Sequence, residues 1–94
     1  MINFILQPST RAAKKYDAIG PFSVSFGAKG YSDYTIHGDL KRKENYIKRH
    51  QVNEDWDDLT KAGTWSRYLL WNKPTLRDSI KDMEKRFNIN IIIN

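Results

Sequence analysis

The stretch Thr75-Leu76-Arg77-Asp78-Ser79-Ile80-Lys81-Asp82-Met83-Glu84-Lys85-Arg86-Phe87 runs straight into Asn88-Ile89-Asn90-Ile91-Ile92-Ile93-Asn94, and the change between them decides the fold class. Leu76, Ile80, Met83 and Phe87 recur at helical spacing, and Thr75-x-x-Asp78 is a variant of the capping box, so Thr75 opens a helix. The tail that follows is uncharged and rich in β-branched isoleucine, which predicts a strand. A helix passing directly into a strand points to a mixed α+β domain.

Working outward, Asn72-Lys73-Pro74 stops whatever precedes that helix, because the residue before proline is pushed out of the helical region. Upstream, Thr64 is placed to cap a short helix through Trp71 that presents Trp65, Tyr68 and Leu69 together. Asn53–Asp58 reads as an acidic turn around Trp56. Asp39 is placed to cap a helix reaching about Gln51, with Leu40, Lys43, Ile47 and His50 on one face and Tyr46 beside them. From Gly27 to Gly38 there is no clear periodicity, and Tyr31 and Tyr34 argue for an ordered loop. Tyr16, Ala18, Val24 and Phe26 alternate across Lys14–Ile19 and Phe22–Phe26, a hairpin turning at Gly20-Pro21. Met1–Gln7 reads as a short strand ended by Pro8-Ser9-Thr10.

The expected architecture is a small antiparallel sheet, made of the N-terminal strand, the hairpin and a possible C-terminal strand, packed on two or three short helices. It forms one domain over residues 1–94, with residues 1–10 and 88–94 as possible strand-like arms. Those ends are uncharged and β-prone. They must pair with each other, with the hairpin or with a neighbouring chain, and Ile2, Phe4, Ile5, Ile91, Ile92 and Ile93 are the candidates for strand addition.

Composition narrows the function classes. Cysteine is absent, which excludes disulfides and thiolate zinc sites and suits a reducing compartment. No apolar run reaches the ~18 residues of a membrane span, and Met1–Leu6 lacks the leader of a secretory signal. The net charge is +5. Residues 1–50 hold nine Lys/Arg against four Asp/Glu, whereas residues 51–94 hold seven of each, so the whole excess lies in the first half. Such asymmetry suits an anionic partner on one side of the molecule.

Three groups of residues are candidates for chemistry. The helix Lys41–His50 carries five cations and one acid. If Leu40 and Ile47 face inward, Lys41, Arg42, Lys48 and Arg49 form an outward ridge. That ridge suits nucleic-acid phosphates or an acidic protein surface, or is simply solvated. No base-reading motif accompanies it. His37, Asp39, His50, Glu54 and Asp55 are scattered in no spacing that recurs in catalytic metal motifs, so neither a catalytic set nor a metal site is expected. No cofactor or small-molecule substrate is indicated either. Trp56, Trp65, Tyr68 and Trp71 are dense enough to form much of the core, with Trp56 as the candidate interface aromatic.

The block Phe26-Gly27-Ala28-Lys29-Gly30-Tyr31-Ser32-Asp33-Tyr34-Thr35 continues through Arg42-Lys43, Tyr46-Ile47, Arg49-His50 and Asn53-Glu54-Asp55-Trp56. It ends on Ala62-Gly63, Trp65-Ser66, Leu69-Leu70-Trp71-Asn72-Lys73-Pro74-Thr75 and Ser79-Ile80. This pattern resembles a family of small uncharacterised proteins encoded by large and giant double-stranded DNA viruses, over roughly residues 14–87. The resemblance implies a viral source and not an activity. The expected role is a virion-associated structural or assembly component, a minor capsid-type protein contacting other virion proteins. The alternative is a sequence-nonspecific nucleic-acid-binding accessory, with a nucleic-acid-processing enzyme third. The implied location is the virion, or the host cytoplasm or nucleus during assembly.

Overall fold

Three strands, four helical segments and a fourth strand follow one another along the chain in the computed structural model, which describes residues 1–94. They are β1 (Ile2–Pro8), β2 (Lys14–Ile19), β3 (Ser23–Ala28), α1 (Tyr34–His37), α2 (Leu40–His50), α3 (Ala62–Trp65) running into a π-turn (Ser66–Leu70), α4 (Leu76–Phe87) and β4 (Ile89–Ile93). The fold is α+β. Its single sheet has the order β3-β2-β1-β4, with β1–β2 and β2–β3 antiparallel. The fourth pairing is parallel, Ile2 to Ile89 through Leu6 to Ile93, so the sheet is mixed rather than wholly antiparallel. The reason lies in α4, whose amphipathic face lies against the core and returns the chain to β1 in the same direction. Asn88 closes that helix in the left-handed conformation (φ 55°), which Asn tolerates better than most residues.

The terminal segments are therefore not free arms. β1 is interior, with partners on both edges, and Phe4 and Ile91 are buried in the core. Strand addition through Ile2, Phe4 or Ile5 is closed off because the β1 backbone is already paired. On β4 the outer edge remains, but the Ile91 N–H donates to Glu84 Oε2 at 2.9 Å. A carboxylate on an edge amide is a common way of blunting an edge against pairing.

The hairpin follows the alternation: Ala18, Val24 and Phe26 are buried, with Tyr16 packed against them. Trp65 lies at the centre, its ring edge-on to Phe4 at 4.9 Å and stacked with Phe26 at 6.0 Å, and its Nε1 donates to Leu59 O at 2.8 Å. Leu69, Leu70, Ile80, Met83 and Ile89 complete the core. The chain from Ala62 departs from the sequence reading. Thr64 does not cap a helix; it is fully buried, and its hydroxyl donates to Asp58 O at 2.6 Å, fastening the preceding loop. The turn beyond it widens to π geometry, with the Trp71 N–H bonded to Ser66 O at 3.1 Å. Consecutive Tyr68, Leu69 and Leu70 are all buried there, because the segment is packed between the sheet and α4.

Asp33 organises the stretch read as a loop. It caps α1 by accepting from Thr35 N at 2.9 Å, also accepts from the Thr35 hydroxyl, and takes Lys15 Nζ at 2.5 Å. That nearly buried ion pair pins residues 29–38 to the sheet. Gly27, at φ 78°, lets the hairpin pass under Leu70. No helix is long and apolar enough to cross a membrane.

Candidate anion-binding cleft

The first turn of α2 is capped as its sequence demands: Asp39 Oδ1 accepts from Lys41 N at 3.0 Å and Arg42 N at 3.2 Å. What the sequence misjudged is the rotation of this helix. Leu40 is 57% exposed, Ile47 is half-buried, and Tyr46 is the buried residue. Tyr46 is drawn in by stacking on Trp71, with ring centroids 4.5 Å apart and an angle of 4°. His50 stacks on the other face of the array, 4.2 Å from Tyr46. Aromatic pairs of this kind contribute about 0.5–1.5 kcal/mol each beyond their area, which favours turning Tyr46 inward.

That rotation splits the ridge. At ~100° per residue, Arg42 and Arg49 lie on the Tyr46 side of α2, and Lys41 and Lys48 lie roughly 100° away. Arg42, Arg49 and His50 line a cleft of about 540 Å³ between α2, the start of α3 and the end of the hairpin. Lys14, Lys15 and Tyr31 line its opposite wall. Lys41 and Lys48 are exposed and line neither this cleft nor its neighbour. Of the four ridge cations expected on the basic helix, Arg42 and Arg49 line the cleft and Lys41 and Lys48 do not. Lys14 and Lys15, from β2, were not singled out. Their position next to the Gly27 passage places them there, a signal visible only once the hairpin is folded against α2.

The charges in the cleft differ in freedom. Lys15 is held by Asp33. Lys14, Arg42 and Arg49 form no ion pair. Two carboxylates line the cleft, Asp33 and Glu54; Glu54 Oε2 accepts from Trp56 Nε1 at 2.7 Å, its Oε1 lies 3.5 Å from His50 Nδ1, and the group packs against Gly63. Burial, reinforced by Glu54, pushes the Tyr46 phenol well above its ordinary range, so it remains neutral between the arginines.

Trp56 is half-buried, packed against the core and covered by the Arg67 guanidinium at 5.4 Å. Burial lowers the Arg67 pKa, and Nη1 donates to Trp71 O at 2.9 Å. Of the histidines, His37 accepts at Nδ1 from Asp39 N at 2.9 Å and lies 5.4 Å from Trp71. No three His, Cys, Asp or Glu gather as a metal-binding group.

A family model described as a family of unknown function (DUF5754) matches residues 4–50, half of the chain. The chain belongs to that family. The DUF5754 segment spans β1 through α2 and so contains Lys14, Lys15, Tyr31, Arg42 and Arg49, whereas Glu54, Gly63 and Trp71 lie beyond it. No curated protein and no solved structure matches the chain.

Proposed function

We propose that the protein binds polyanions, nucleic-acid phosphates foremost, in the cleft between α2 and the hairpin. The observation that carries this reading is that Lys14, Arg42 and Arg49 converge on one concavity with no ion-pair partner. Arginine presents a planar fork suited to phosphate oxygens, and lysine adds a point charge. The contacts are to backbone phosphates, so binding is insensitive to sequence. The role is one of binding without turnover, with His50 clamped between Glu54 and Tyr46. The resemblance to small proteins of large double-stranded DNA viruses supplies the setting, an accessory acting on viral nucleic acid.

Three phosphate contacts predict that log K falls with log salt at a slope of roughly −2 to −3. Fluorescence anisotropy on random-sequence DNA across a salt series measures it directly. Absence of binding at low salt, or binding indifferent to salt, overturns the proposal.

A second reading rests on the open face of the sheet. Ile19, Ile5 and Ile92 stand in register across β2, β1 and β4, and Ile5 and Ile92 are exposed. Amide pairs flank that row: Asn90 donates to Asn3 at 3.0 Å and Asn94 to Gln7 at 3.4 Å. β1 and β4 carry no charged residue in a chain of net charge +5. Another copy can therefore approach this face without cation repulsion, as a virion structural subunit would require. Sedimentation velocity over a concentration range tests it: a dimer lost in Ile5→Lys supports it, and a monomer at every concentration contradicts it.

A further inference from the structure

We propose that the cleft's ligand is single-stranded nucleic acid, followed over successive nucleotides with Tyr31 stacking on an unpaired base; this rests on the phosphate-binding reading above. A second depression of about 640 Å³ adjoins the first, and the two share Lys14, Lys15, Tyr31, Ser32 and Asp33 as a common wall. Lys29 lines the second depression and forms no ion pair. Together they make a path with Arg42 and Arg49 at one end, Lys29 at the other and Tyr31 at the divide. Each depression has the volume of a small-ligand site, suited to one nucleotide rather than to the flank of a duplex.

Tyr31 is the decisive residue. It is 73% exposed, and its ring makes no aromatic or cation–π contact within the molecule, unlike Tyr16, Tyr34, Tyr46 and Tyr68. Its neighbourhood is nonetheless ordered. The Tyr31 N–H donates to Ala28 O at 3.2 Å, and two residues on, Asp33 is tied to Lys15. A large aromatic ring held in the open between cations is the arrangement by which single-strand-binding proteins stack bases, a contact that a paired base in a duplex does not offer.

The test compares the whole protein's affinity for a labelled single-stranded oligonucleotide of about 12 residues with that for the duplex of the same sequence, at low salt. The wild type should prefer the single strand. Tyr31→Ala should weaken single-strand binding about fivefold or more, well beyond any loss of duplex binding, so that the preference disappears, and Tyr31→Trp should restore it. Circular dichroism establishes that the variants are folded. Equal affinity for both forms, or a Tyr31→Ala variant that binds the single strand as well as the wild type, overturns this inference while leaving phosphate binding intact. Failure of the wild type to bind either form overturns both.

Discussion

Asp17 is a buried carboxylate on β2 with no ion pair, and hydrogen bonds do most to hold its charge, with a smaller contribution from the Arg11 cation. Ser25 Oγ and Ser9 Oγ donate to Oδ1 at 2.6 and 2.7 Å, and these bonds bring its pKa below the ordinary 3.8. A carboxyl whose folded pKa is depressed contributes stability that is present above the unfolded value and lost as pH falls through the folded one. Asp17→Asn should thus lower the urea midpoint at neutral pH and flatten its decline on the acid side of 3.8; an unaltered acid decline contradicts this role. Gly27 supports a second prediction. At φ 78° a Cβ would lie 2.9 Å from Leu70 Cδ1 and 3.1 Å from Lys15 Cβ. Gly27→Ala should destabilise by about 1–3 kcal/mol, read from denaturant unfolding, because strain and overpacking add.

The elements were legible where one periodicity dominated. Thr75 accepts from Asp78 N at 3.1 Å, as its capping position implies, and the hairpin buries Ala18, Val24 and Phe26 as its alternation selects, with Tyr16 partly buried beside them. α2 shows what the sequence left out. Leu40 and Ile47 set the apparent apolar face, yet Tyr46 is the residue that goes in, because Trp71 arrives from 25 positions downstream to stack on it. Contacts across that separation leave no local signal, so the division between cleft-lining Arg42/Arg49 and outward Lys41/Lys48 was invisible. The π-turn was missed for a similar reason: packing on both sides imposes it, and propensity does not. Likewise nothing local distinguishes a parallel from an antiparallel β4. The placement of β4 carries a prediction of its own. Removing residues 89–94 takes away buried Ile89 and Ile91, about 1.5–3 kcal/mol each, from a domain with a total stability of roughly 5–14 kcal/mol. The truncated chain should lose cooperative unfolding; a stably folded product would mean that β4 is dispensable to the sheet.

At the scale of the molecule, charge and apolar surface are separated. The core, α3, the π-turn and α4 lie against one face of the sheet, the cations of α2 and β2 line the cleft, and the face carrying Ile5 and Ile92 is free of charged residues on β1 and β4. Glu84 on the edge of β4 occupies the Ile91 amide and so blunts that edge against strand pairing. Anion binding is therefore proposed for the cleft and not for the basic helix as a whole. The most direct measurement compares two double charge reversals for retention on DNA at low salt: Arg42→Glu with Arg49→Glu, and Lys41→Glu with Lys48→Glu. Both change net charge equally and all four residues are exposed, so long-range attraction and folding are matched. The arginine pair should abolish binding while the lysine pair only weakens it. Equal losses from the two pairs would contradict the proposal, leaving the charge of α2 as a diffuse surface and the cleft without a role.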